Sequence, residues 1–82
     1  GMPDTIIIDP PRSGMHKKAI DKLLKILPNK IIYVSCNSAT QARDLNIMKE
    51  FYTICTSQSV DMFPQTYHVE NVVLLKKTIR NV

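Results

Sequence analysis

Apolar positions along this chain switch between the unbroken runs of buried strands and the three-and-four spacing of helices, and the switches mark out its elements. Thr5 to Asp9, TIIID, is a β-branched run closed by Pro10 and Pro11, which have no amide proton to give a sheet ladder. Its lack of alternation predicts a parallel strand covered on both faces. After Arg12-Ser13-Gly14, residues Met15, Ala19, Ile20, Leu23, Leu24 and Leu27 recur at helical spacing with lysines on the other face, until Pro28-Asn29 stops the pattern. A helix of about three turns is expected there.

Lys30 to Ser35 reads as a second buried strand. Ser38-Ala39-Thr40-Gln41 then has the S-x-x-Q form of a capping box, with Ser38 as the expected cap, and Ala42, Leu45, Met48 and Phe51 supply an apolar stripe for a second helix. Tyr52 to Val60 alternates as an extended strand should, and ENVVLLKK, residues 70–77, gives the last strand. The order β-α-β-α-β-β predicts an α/β fold whose first three strands run parallel through crossover helices and whose last strand runs antiparallel. Open sheets of this kind carry ligands beyond the carboxyl ends of their parallel strands. Asp9 and Cys36 both stand at such ends.

Composition adds little that is specific. The chain has 82 residues, one small partial domain over 1–82, with a net charge of +4 that is compatible with a nucleic-acid partner without requiring one. Lys17, Lys18, Lys22, Lys25, Lys30, Lys76, Lys77 and Arg80 read mostly as solvated surface charge. No stretch is long and apolar enough to span a membrane, and no secretory leader is evident, so a cytoplasmic protein with reduced Cys36 and Cys55 is expected. The opening Gly1-Met2 has the form of a scar left by tag removal, which makes a deliberately cut piece the expectation. Two cysteines and two histidines without paired ligand spacing predict no metal site.

Three segments carry chemistry: DPPRSG at 9–14, VSCNS at 34–38 and DMFPQTYHVE at 61–70. Together and in this order they resemble the RNA 5-methyluridine (uracil-5-) methyltransferases, S-adenosylmethionine-dependent enzymes with a Rossmann-like class I methyltransferase sheet. The resemblance runs from Asp9 to Leu75 and covers the C-terminal half of that family's catalytic domain. It implies methylation of carbon 5 of a uridine in transfer or ribosomal RNA. Carbon 5 of uracil is too poor a nucleophile to take a methyl group from a sulfonium, so a thiolate must first add to carbon 6; the resemblance makes Cys36 that nucleophile. It makes Glu70 the general base that removes the carbon 5 proton. Asp9 would face the cofactor or the target base, and Arg12 offers donors that could stabilise the enolate oxygen.

Other candidates are weaker. Cys55 reads as core, His68 as structural, Phe63 as core packing and Tyr67 as a residue able to stack on a flipped base. Ser38 stands where the family usually has proline, which leaves Cys36 in place. A glycine-rich cofactor loop is absent, so the chain is expected to hold half a cofactor site and to be inactive alone. The strand Thr5–Asp9 would then present a bare edge through which copies self-associate. The competing readings are an RNA cytosine-5 methyltransferase, disfavoured because Arg12 stands where that family has cysteine, and a non-catalytic RNA-binding or structural module.

Overall fold

The computed structural model describes residues 4–61 and 69–78. Within them the chain forms β1 (Thr5–Ile8), α1 (Lys17–Ile26), β2 (Lys30–Ser35), α2 (Ser38–Met48), β3 (Tyr52–Asp61) and β4 (Val69–Lys77). The six elements follow the order expected from the sequence, with β1 one residue shorter. Pro10 ends the ladder, and Leu27 leaves α1 in a left-handed conformation, φ 52°, with its amide closing on the Leu23 carbonyl at 2.9 Å. Pro28 follows, as its inability to continue a helix requires.

The sheet has the order β1-β2-β4-β3. β1 and β2 are parallel, and β4 is antiparallel to both β2 and β3, so β1, β2 and β3 share one direction. β4 lies between β2 and β3, and β1 is an edge strand, as the self-association reading needs.

One face of the sheet holds the core. Ile31 and Tyr33 of β2, Val73 and Leu75 of β4, and Tyr52 of β3 meet Ile20 and Leu23 of α1 and Met48 of α2. Each such side chain removed from water contributes about 1.5–3 kcal/mol. On the opposite face the register aligns Ile7, Ile32 and Leu74 in one row across three strands, and Val34 and Val72 in the next. No element among the described residues packs over these rows, and Ile7 is 69% exposed. The expectation that β1 is covered on both faces is therefore not met: its unbroken apolar run is present, while only α1 and α2 are there to cover it.

Two further expectations are corrected. The cap of α2 is Asn37, whose Oδ1 accepts from Ala39 N at 3.1 Å and Thr40 N at 3.3 Å; Ser38 is the first helical residue. The buried face of α2 is Gln41, Asp44 and Met48, with Ala42 exposed and Phe51 beyond the helix and also exposed. Cys55 is exposed as well, as are all of residues 53–59 on the edge strand β3, which also carries a bulge between Ile54 and Thr56.

Candidate active site

The reactive segments meet where β1 and β2 end and β4 begins. Ser35, the last residue of β2, is buried, and its hydroxyl donates to the Asn37 carbonyl while accepting from the Asn37 amide, both at 3.0 Å. This pinched turn holds Cys36 between two fixed neighbours and leaves it exposed. The final pair of β2 with β4 is Ser35 with Asn71, so Cys36 leaves β2 directly after that pair and Glu70 enters it directly before, Glu70 being itself paired with Val60. On the other side Ile8 pairs with Tyr33, so Asp9 stands level with Val34. Alternation along β4 puts Glu70 with Val72 and Leu74 on the face that α1 and α2 leave uncovered, Cys36 follows the end of β2 beside it, and Asp9, just past the end of β1, borders the side that the helices cover. Neighbouring strands lie about 4.8 Å apart, which keeps Cys36 and Glu70, at the adjoining ends of β2 and β4, within the reach of one ring-sized substrate, with Asp9 one strand further away.

The loop bearing Arg12 is fastened to α2 along its length. Its Arg12 carbonyl accepts from Asn37 Nδ2 at 3.0 Å and Thr40 Oγ1 at 2.9 Å, and the Ser13 carbonyl accepts from Arg43 at 2.8 Å. Asp44 then accepts from the Met15 amide at 2.7 Å, from the Tyr33 hydroxyl at 2.6 Å and from Arg43 at 3.3 Å. Gly14 makes the tight approach possible. Its φ of +86° suits glycine, and a Cβ there would lie 2.6 Å from Arg43 Nη2 and 2.9 Å from Asp44 Oδ2. The Arg12 side chain is exposed, as a group that meets substrate must be.

Gln41 completes the frame. Its Nε2 donates to the Tyr33 carbonyl at 3.1 Å and the Asn71 carbonyl at 3.0 Å, and its Oε1 accepts from Asn71 Nδ2 at 2.7 Å. Sequence reasoning missed Asn37, Thr40, Arg43, Asp44, Gln41 and Asn71. The available signal was the spacing of Gln41, Asp44 and Met48, which marks one helix face with two polar members.

Burial raises the Tyr33 hydroxyl well above its ordinary pKa of 10.0, and its hydrogen bond and charge repulsion with Asp44 add to the effect against a smaller opposing pull from Arg43. The folded state therefore holds this proton more tightly than the unfolded one, so the associated stability is intact below pH 10 and is lost as pH rises beyond it. Urea midpoints of the full-length protein are expected to fall between pH 9.5 and pH 11, less steeply in Tyr33→Phe (about those pH values, on the linkage relation). Equal slopes in the two proteins would contradict this.

A cavity of about 1000 Å³ opens beside the site, lined by Asp9, Gly14, His16, Arg43 and Ile47 among others, on the helix side and away from Cys36 and Glu70. Phe63, Tyr67 and His68 lie outside the described residues. No helix among the described residues is long and apolar enough to cross a membrane.

Residues 2–78 match the family model described as tRNA (uracil-5-)-methyltransferase. An uncharacterized RNA methyltransferase of Bacteroides thetaiotaomicron is 58% identical over 76 residues, covering 93% of this chain and 17% of the relative. A second, from Porphyromonas gingivalis, is 57% identical over 77 residues, covering 92% and 17%. Among solved structures, the Pyrococcus abyssi tRNA (uracil-54, C5)-methyltransferase in complex with S-adenosyl-L-homocysteine superposes with a TM-score of 0.77 at 46% identity, covering 88% of this chain and 18% of that one. The chain thus spans about a sixth of the length of these relatives.

Proposed function

Because the chain belongs to the tRNA (uracil-5-)-methyltransferase family, we propose that the longer protein containing it methylates carbon 5 of a uridine in RNA through a covalent adduct on Cys36. The observation that supports this best is the pairing of Ser35 with Asn71, which brings the end of β2, next to Cys36, alongside the start of β4, next to Glu70.

The Cys36 thiolate attacks carbon 6, forming a C–S bond and moving the 5,6 double-bond electrons onto carbon 5 and, by resonance, the carbon 4 oxygen as an enolate. Arg12 is the cation on a fastened loop that would stabilise that oxygen. Carbon 5 then takes the methyl group, and Glu70 removes the carbon 5 proton. The released electron pair re-forms the double bond and expels the Cys36 thiolate.

S-adenosylmethionine would supply the methyl group, its sulfonium sulfur keeping the electron pair of the broken bond and leaving as a neutral thioether. Asp9, an exposed carboxylate at the carboxyl end of β1 that lines the cavity beside the site, fits a role in holding either the cationic cofactor or a donor edge of the base. Transfer RNA is the substrate class that the family model and the Pyrococcus enzyme favour, and cytoplasmic action follows from it. Mass spectrometry of RNA treated with the full-length protein and S-adenosylmethionine tests the reading: 5-methyluridine is expected, whereas methyl on cytosine or on a purine amino group would overturn it.

The 82 residues alone would hold part of this site and transfer no methyl. With Ile7 exposed and β1 at the sheet edge, they would also self-associate by adding strand to strand. Light scattering of the isolated chain at rising concentration should show growth in mass; a monomer throughout would rule out this mode.

A further inference from the structure

The pinched turn at Ser35–Asn37 fixes Cys36 from within β2 and the start of α2. Glu70 has a different anchor. It stands at the second residue of β4, immediately before Asn71, and Asn71 is where the strand is tied to the rest of the site. Gln41 makes that tie, with one hydrogen bond to the Asn71 carbonyl and another from the Asn71 side chain. A third reaches the Tyr33 carbonyl on the Cys36 strand.

A glutamine side chain buried to 1% exposure is costly unless its polar atoms are paired, and an apolar residue would fill this helix face without that demand. All of Gln41's hydrogen bonds go to the two strands that carry the nucleophile and the base. It also sits five residues after Cys36, on the same helix whose Asn37, Thr40, Arg43 and Asp44 hold the Arg12 loop.

We infer that Gln41 is a positioning residue for the proton-removal step, holding the Glu70 end of β4 at the distance from Cys36 that the carbon 5 proton requires. Its loss removes the tie from α2 and lets the start of β4 shift against β2, with Glu70 held only through its pairing to Val60, while leaving the turn around Cys36 intact. Carbon–sulfur bond formation and methyl transfer proceed, and elimination slows, so the methylated adduct builds up on the protein. The inference rests on the proposed roles of Cys36 and Glu70.

The experiment uses the full-length protein, an unmodified uridine-containing tRNA transcript and S-adenosylmethionine, quenched in denaturant at short times. Covalent protein–RNA adduct is read on a gel and released 5-methyluridine by mass spectrometry. In Gln41→Met, which keeps the side-chain volume and removes the hydrogen bonds, adduct should form within about threefold of the wild-type rate. It should decay about 10- to 100-fold more slowly, the loss that a small misplacement of a reacting group produces. Equal slowing of formation and decay, or no change in either, overturns the inference.

Should Gln41→Met yield no folded protein, Asn71→Ser at a half-buried position removes the Asn71 side-chain bond to Gln41 while sparing the two carbonyl bonds, and is expected to show the same split at smaller size. Glu70→Gln is run in parallel. If it turns over normally, the base assignment fails and takes this inference with it; if it traps adduct while Gln41→Met does not, the inference alone fails.

Discussion

Cys36→Ala in the full-length protein is expected to lower methyl transfer by about 10⁴-fold or more, the scale seen when a nucleophile is removed from a covalent mechanism. The size follows from chemistry with no substitute route: without addition at carbon 6, carbon 5 has no enolate from which to attack a methyl group. The fold should be untouched. Cys36 is exposed and lies outside the core cluster, and surface substitutions of that kind change stability by about 0.5 kcal/mol or less. RNA carrying 5-fluorouridine should form a denaturant-stable adduct with the wild-type protein, since fluorine cannot leave as a proton does, and none with Cys36→Ala. A variant that still forms adduct, or that methylates at near wild-type rate, would place the nucleophile elsewhere.

The second large effect is on stability. Asp44 is fully buried and gathers the Met15 amide, the Tyr33 hydroxyl and the Arg43 guanidinium. Asp44→Ala strands the first two donors and opens a cavity, and breaking a buried charged network in this way costs about 3–5 kcal/mol. Arg43 is half exposed and recovers solvent, so its salt bridge contributes little to that figure. Denaturant titration of the full-length protein should show the loss as a lower midpoint, with Asp44→Asn intermediate. A loss under about 1 kcal/mol would mean that solvent reaches the stranded donors. Activity should fall too, since Met15 is the last tether of the Arg12 loop.

Much of this arrangement was legible in the residues. Pro10 and Pro28 mark where β1 and α1 end, and Lys30–Ser35 reads directly as a strand because its apolar run is bounded by a helix stop and a turn. The family motifs point to Asp9, Cys36 and Glu70 as candidates, and the strand order brings the ends of β1 and β2 and the start of β4 to one rim. The phase of α2 was not legible. A search for apolar spacing selects Ala42, Leu45, Met48 and Phe51, whereas the buried face carries Gln41 and Asp44, whose partners Asn71 and Met15 lie 30 and 29 residues away. Periodicity measures hydrophobicity along one element and is blind to a polar side chain satisfied by a distant one. Asn37 was overlooked as a cap for a related reason: Ser38-x-x-Gln41 meets the capping-box pattern, but Gln41 is already engaged with two strands. Cys55 looks buried only until β3 is known to be an edge strand exposed over residues 53–59.

The insertion of β4 between β2 and β3 bears on how the protein is made. During synthesis β1, α1, β2 and α2 emerge first, yet β2 has only one neighbour until residues 69–77 arrive. Ser35 and Asn71 are 36 positions apart, so their pairing carries a long-loop closure and belongs among the slower events of folding. That same closure brings Glu70 next to Cys36. The proposed nucleophile and its proposed base are thus assembled together, and a nascent chain stopped short of residue 69 is expected to display the Cys36 thiol without Glu70 beside it.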